Sequence, residues 1–289
     1  MLLVKLKTGN AARTEAPRRG QEKIMHILVS NDDGYRAPGV LSLVKTLQKE
    51  HKVTMVAPKE EQSGVGHGFT FLSPLNSKRV DAELGLEGVK AYAVSGTPVD
   101  CVKLGCYHFD KEDFPDMVVS GINRGANLGT DVFYSGTVSA AMEGAFMGLP
   151  AIAVSSCAAE PVYYDCAGQY VLQVIEYLKE HPLPTKMLLN LNVPDLPFTE
   201  THGIKMSRLA YRNYDNAYDP RKDPLGRSYF WLKDMLVPAD VPGTDEYLVG
   251  RGYASLTPLY PDITAHSYLA QMESEHAFGG SEKDEETRQ

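Results

Sequence analysis

The sequence contains no continuous apolar run near the roughly 20 residues that a helical membrane span requires. Its longest apolar runs are short and strand-like, such as Met117–Val119 and Ala151–Val154. It also lacks an excess of positive charge, with 29 Lys and Arg against 37 Asp and Glu and a formal net charge of −8. A protein that coats nucleic acid presents a basic face to the phosphates, so a nucleic-acid polymer is not an expected partner. Cysteine is scarce: Cys101, Cys106, Cys157 and Cys166 show no CxxC spacing. That excludes a zinc ribbon or a thioredoxin-type pair and reads as small buried side chains in a reducing compartment. Gly64, Gly66 and Gly68 do not form GxGxxG, so a dinucleotide-binding oxidoreductase is a poor reading. A soluble, cytoplasmic protein without a membrane partner is expected.

What is present is an ordinary globular composition, 43% hydrophobic and 23% charged over 289 residues. Strand-like and helix-like segments alternate through the first half, which points to a parallel sheet covered by helices. Ile24–Ser30, Lys52–Ala57, Lys90–Ser95, Asp116–Ser120, Pro150–Ser155 and Met187–Asn192 read as strands. Gly39–Glu50, Pro98–Tyr107, Gly136–Met147 and Val162–Glu180 read as helices. After Pro194 the pattern changes. Residues 203–232 are rich in Tyr and Arg and read as extended β structure, followed by a short helix at Asp245–Gly250, a strand at Tyr253–Thr257 and a helix at Ala265–Glu275. Tyr211, Tyr214, Tyr218, Tyr229, Phe230 and Trp231 are too many aromatics for a solvated loop, so they pack on the core or meet another subunit.

The expected fold is therefore α/β, a Rossmann-like three-layer parallel sheet core with a C-terminal extended β-hairpin or arm region. Its predicted divisions are a disordered extension over 1–24, an α/β metal- and phosphate-binding core over 25–194, an arm and oligomerisation region over 195–276 and a disordered acidic tail over 277–289. Residues 1–24 carry six Lys or Arg and two Glu, without an apolar stretch long enough for a secretory signal.

Ligands of open parallel sheets bind outside the carboxyl ends of the strands. Three polar insertions fall there: Asn31–Pro38, Lys59–Gly68 and Gly121–Ser135. Two adjacent carboxylates repel, so Asp32 and Asp33 at a strand end invite a divalent cation. The plainer alternative is that Asp32 caps a helix and Asp33-Gly34 makes a turn. In the loop EQSGVGHGFT, Ser63 offers a hydroxyl among glycines, and His67 is either a general acid, a substrate contact or an ordinary loop histidine. Asn123 and Asn127 supply amide oxygens four residues apart. Ser135, Gly136 and Thr137 open an amphipathic helix, whose N-terminal N–H groups and hydroxyls suit an anion as well as a cap. Asp32, Asp33, Ser63 and Asn123 are all hard oxygen donors, which favours Mg²⁺ or Mn²⁺ over zinc. A cation beside an anion site is the equipment of a phosphomonoesterase.

Strand-SNDDG, the Gln62-Ser63-Gly64 loop, SGTPVDC, SGIN-x-G-x-N, YSGTV-x-AAMEGA and SLTPLYPDITAH, in this order, resemble the SurE (survival protein E) nucleotidases from about Met25 to His266. The resemblance implies one divalent metal per subunit, Mg²⁺ or Mn²⁺, held by Asp32, Asp33, Ser63 and Asn123, with Asp32 and Asp33 catalytic. It implies substrate or phosphate contacts by Asn127, Ser135, Gly136, Thr137 and His266. It further implies hydrolysis of nucleoside 5′- and 3′-monophosphates, with some activity on short polyphosphate, by homodimers or homotetramers that exchange C-terminal arms. Which group acts as general base stays open. An aspartyl-phosphate phosphatase is an alternative, although such enzymes carry DxD where this chain has Asn31-Asp32-Asp33. A non-catalytic nucleotide-binding module is another.

Overall fold

Alternating Ile, Leu and Val in the first strand send neighbouring side chains to opposite faces of one sheet, and each face carries its own layer of helices. The computed structural model describes residues 24–109, 113–212, 218–232 and 240–275. The extension and tail expected at 1–24 and 277–289 lie, apart from Ile24, outside the described residues. The chain runs β1 (His26–Ser30), α1 (Pro38–Leu47), β2 (Lys52–Pro58), β3 (Ser77–Arg79), α2 (Asp81–Leu84), β4 (Lys90–Val94) and α3 (Pro98–Leu104). It continues through β5 (Met117–Arg124), α4 (Gly136–Phe146), β6 (Ala151–Ser156), α5 (Tyr164–Glu180) and β7 (Leu188–Val193). The last elements are β8 (Ile204–Met206), β9 (Tyr218–Lys222), β10 (Ser228–Leu232), α6 (Asp245–Val249), β11 (Ala254–Leu259) and α7 (His266–Ser274).

Among the described residues, nine strands form one sheet in the order β3-β4-β2-β1-β5-β6-β7-β11-β8. The six central strands are parallel, while β3 on β4 and β11 on β7 are antiparallel. The fold is thus the expected α/β architecture, with a mixed, mostly parallel sheet and a separate antiparallel hairpin, β9–β10. Ile27 and Val29 face one core layer with α1 and α5; Leu28 faces the other with α3 and α4. Each such side chain, wholly removed from water, contributes on the order of 1.5–3 kcal/mol.

The sheet reverses direction at β1. The chain moves outward through β2 and β4, then returns to lay β5 on the other side of β1. The crevice outside the carboxyl ends of β1 and β5 is therefore the topological switch point, where ligands of such sheets bind. Strand β5 runs past the predicted end at Ser120 to Arg124, through a register shift between Ser120 and Asn123. Gly121 occupies that bulge at φ 136°, where a Cβ would stand 2.2 Å from the Val154 carbonyl oxygen. The shift carries Asn123 on a strand end rather than a free loop.

The stretch 203–232 is less continuously extended than its composition suggests. Strands cover Ile204–Met206, Tyr218–Lys222 and Ser228–Leu232, and Tyr214 lies outside the described residues. Strand β11 belongs to the main sheet, between β7 and β8.

Candidate functional site

The three polar insertions meet at the switch point and are tied to one another by hydrogen bonds. Asp32, the second residue after β1, is 4% exposed. Its Oδ1 accepts a hydrogen bond from the Thr137 hydroxyl at the start of α4. Its main-chain oxygen accepts one from the Gln62 amide at 2.7 Å, which fastens the glycine-rich loop beneath it. Gly136 is glycine for a reason of space: a Cβ there would lie 2.8 Å from Asp32 Cβ and 2.9 Å from Asp32 Oδ2. The carboxylate is thus seated against the first turn of an 11-residue helix, whose N-terminal dipole and unsatisfied N–H groups favour negative charge.

Asp33 Oδ2 accepts from the Arg124 amide at 3.0 Å, which joins the second carboxylate to the end of β5 beside Asn123. The Arg124 side chain reaches Glu61 Oε1 at 3.3 Å, and the exposed Ser63 donates to the same Glu61 oxygen at 2.8 Å. Asn123 spends its amide nitrogen on the Gly125 carbonyl at 2.9 Å, so its carboxamide oxygen is the atom left for a ligand. Ser135 caps α4, accepting from the Val138 amide at 3.1 Å. Capping and anion binding remain compatible, because the cap satisfies one N–H of several.

Burial raises the Asp32 pKa from 3.8 to about 6, the Thr137 hydroxyl opposes that rise, and the neighbouring Asp33 adds to it. Asp33 is also raised, chiefly by burial, with the Arg124 amide and guanidinium pulling it down and Glu61 pushing it up. Among the described residues no Lys or Arg forms an ion pair with Asp32. Asn31, fully buried, gives its nitrogen to the Gly34 carbonyl at 3.0 Å, while its Oδ1 has no partner. Two adjacent carboxylates, of which Asp32 has no Lys or Arg ion-pair partner among the described residues, could hold a hard divalent cation. Asp32, Asp33, Ser63 and Asn123 are the oxygen donors available to it.

Other predicted residues sit differently. Asn127 is buried and gripped from three sides: its amide donates to Asn192 Oδ1 at 2.8 Å, its side chain donates to Ser155 Oγ at 2.9 Å, and its carbonyl accepts from Asn190 and Asn192. His266 begins α7 on an exposed segment and bonds Asp262 Oδ2 at 2.7 Å, four residues back; no described hydrogen bond joins it to the cluster. His67 bonds Glu143 Oε2 at 2.9 Å and so pins the glycine-rich loop to α4.

Sequence reasoning missed Arg124, Glu61, Asn190 and Asn192. The last two carried a signal: two asparagines at strand period inside the otherwise apolar LLNLNV. An open cleft of about 240 Å³ adjoins Asp33, lined by Tyr35, Arg36, Lys59, Glu60 and Glu61 among others.

The fold and this site define a class: a doubly wound α/β protein with an acidic, oxygen-rich strand end set against a helix N-terminus. The family described as Survival protein SurE matches residues 27–216, and the chain belongs to it. A relative called 5′-nucleotidase SurE from Thermosipho melanesiensis is 44% identical over 253 residues, covering 87% of this chain and 98% of its own. One of the same description from Synechococcus sp. is 46% identical over 252 residues, covering 86% of this chain and 96% of its own. The crystal structure of the SurE protein from Aquifex aeolicus superposes with a TM-score of 0.76 at 36% identity, covering 87% of this chain and 99% of that one.

Proposed function

We propose that this chain is a 5′-nucleotidase, a metal-dependent phosphomonoesterase that hydrolyses nucleoside 5′-monophosphates, and also 3′-monophosphates and short polyphosphate, to free phosphate. The observation that carries the reading is the seat of Asp32: a buried carboxylate pressed on Gly136 and Thr137, with Asp33 beside it. A cation held there by Asp32, Asp33, Ser63 and Asn123 would supply charge neutralisation at the phosphoryl oxygens and acidify the attacking water. The chain's own part is positional. Ser135, Gly136 and Thr137 present the first turn of α4 to the phosphate, and Asn127 is held rigid by Ser155, Asn190 and Asn192 to orient it. The open cleft beside Asp33 gives a small ligand access to the carboxylate pair.

The covalent alternative is set aside on the motif itself, since aspartyl-phosphate enzymes carry DxD where this chain has Asn31-Asp32-Asp33. Assembly by exchange of C-terminal arms is supported by β9–β10, where Tyr218, Phe230, Trp231 and Leu232 are each at least 60% exposed. The described helices are too short or too polar to cross a membrane, and a cytoplasmic site of action accords with four free cysteines.

The test is phosphate release from adenosine and guanosine monophosphates, with and without Mn²⁺ or Mg²⁺, for wild type and Asp33→Ala. Release that needs the cation and is lost in the variant is expected. A folded protein that releases none from any nucleotide would make the non-catalytic binding reading the better one.

A further inference from the structure

The opposite end of the sheet holds a second group of ligating side chains. His51 lies between α1 and the first residue of β2, at the amino edge of the parallel strands. The seven-residue β2 separates it from the catalytic loops by roughly 20 Å at the rise of a strand. His51 is only 6% exposed; neither Nδ1 nor Nε2 makes a hydrogen bond of full geometry among the described residues, and the groups that face it are the Glu50 main chain, Lys179 and the carboxylates of Glu50 and Glu176. Buried imidazoles ordinarily satisfy at least one nitrogen, so this ring has an unmet need.

Two carboxylates stand beside it. Glu50 precedes it in the chain, and Glu176 projects from α5, which packs on α1. One ligand atom from each of Glu50, His51 and Glu176 lies within 4.8 Å of the other two. In a tetrahedral Zn²⁺ site with bonds near 2.0–2.1 Å the ligands stand roughly 3.3 Å apart. Both glutamates are exposed and free to close that difference by rotamer changes. The opposing charge is Lys179, one turn along α5 and paired with Glu176. It must yield one Glu176 oxygen and can keep the other.

We propose that Glu50, His51 and Glu176 bind a divalent first-row cation of the Zn²⁺ class at the amino edge of the sheet. One imidazole nitrogen with two carboxylate oxygens suits Zn²⁺ better than the all-oxygen preference of Mg²⁺. The cation ties the α1–β2 corner to α5, two segments far apart in sequence. It binds the folded chain only and so stabilises it without touching the chemistry at the other end.

The test uses the full chain in millimolar Mg²⁺, with Zn²⁺ titrated calorimetrically into wild type, Asp32→Asn, Glu50→Gln and Glu176→Gln. Asp32→Asn keeps one tight Zn²⁺, whereas each glutamate variant binds it at least about tenfold more weakly. Both glutamate variants keep wild-type phosphate release, and Zn²⁺ raises the melting temperature of wild type but not of Glu176→Gln. Electron paramagnetic resonance of Cu²⁺ on Asp32→Asn shows coupling to one imidazole, which makes the result independent of whether His51→Gln folds. Zn²⁺ uptake lost in Asp32→Asn, uptake undiminished in both glutamate variants, or an oxygen-only Cu²⁺ spectrum would each overturn the proposal.

Discussion

The acidic end of the sheet and the β9–β10 hairpin depart from the usual placement of side chains in opposite directions. At the first, Asp32 is 4% exposed and Asn31 fully buried. At the second, Phe230 is 63% and Trp231 60% exposed. Charged groups are seldom buried unless paired, and clustered aromatics are seldom left in water. Each region is incomplete by the same standard, and each points to what completes it. The buried Asp32 carboxylate calls for positive charge; the exposed rings, on the arm-exchange reading, call for a second copy of the chain. The lesson is that a misplacement is informative in proportion to what it costs the isolated chain.

The comparison is broken most severely at Asp32. Asp32→Asn is expected to lower kcat by roughly 10³-fold or more, as several kcal/mol of transition-state stabilisation go with the cation. Phosphate release at saturating nucleotide measures it, and near-normal cation-dependent turnover would remove Asp32 from the site. Next in size is a pH effect on the chain stripped of metal by EDTA. The folded Asp32 holds its proton to about pH 6, whereas the free side chain releases it near 3.8. Between those values the folded state binds more protons than the unfolded one, so stability falls as pH rises. This group alone contributes a loss of about 3 kcal/mol, complete above pH 6. Urea midpoints at pH 4.5 and 7 read the slope, Asp32→Asn should flatten it, and Mg²⁺ at pH 7 should offset it.

Gly136→Ala probes the same seat sterically. Its Cβ would meet Asp32 at 2.8 Å, and the expected destabilisation is about 1–3 kcal/mol with a clear fall in kcat. A wild-type melting temperature and rate would show that α4 has more freedom than its packing indicates. The smallest effect on the chain itself belongs to the hairpin. Phe230→Ser with Trp231→Ser should change unfolding free energy by under about 0.5 kcal/mol, because the rings touch little, yet shift the species seen by light scattering toward monomer. An unchanged assembly would separate these aromatics from arm exchange.

Much of the core could be read from the sequence because its physics is local. Runs such as HILVS and AIAVSS are buried on both faces and are bounded by polar or turn-forming residues, so β1, β2, β4, β6 and β7 fall within one or two residues of expectation. The loops at the strand ends follow from the same pattern. The three-residue β3 is wholly exposed and carries no pattern to find. Asn123 could be named, but not its place on a bulged strand, since the shift follows from Gly121 packing against Val154. Arg124 and Glu61 were invisible because their pairing spans 63 residues. His266 entered through resemblance alone, and its described partner is Asp262. His51 gives no signal in the sequence; its burial is a product of tertiary packing at the corner between α1 and β2.

The position of β11 has a consequence for how the chain is made. It pairs with β7 on one side and β8 on the other, and among the described residues β8 has no other neighbour in the sheet. During synthesis the six parallel strands can assemble once β7 emerges, but β7 then waits as an open edge while some 60 further residues are translated. An unpaired edge is a template for wrong partners. The last strand made is thus the one that closes the sheet and recruits β8. A ribosome stalled before Ala254 would leave a nearly finished protein with its stickiest edge uncovered.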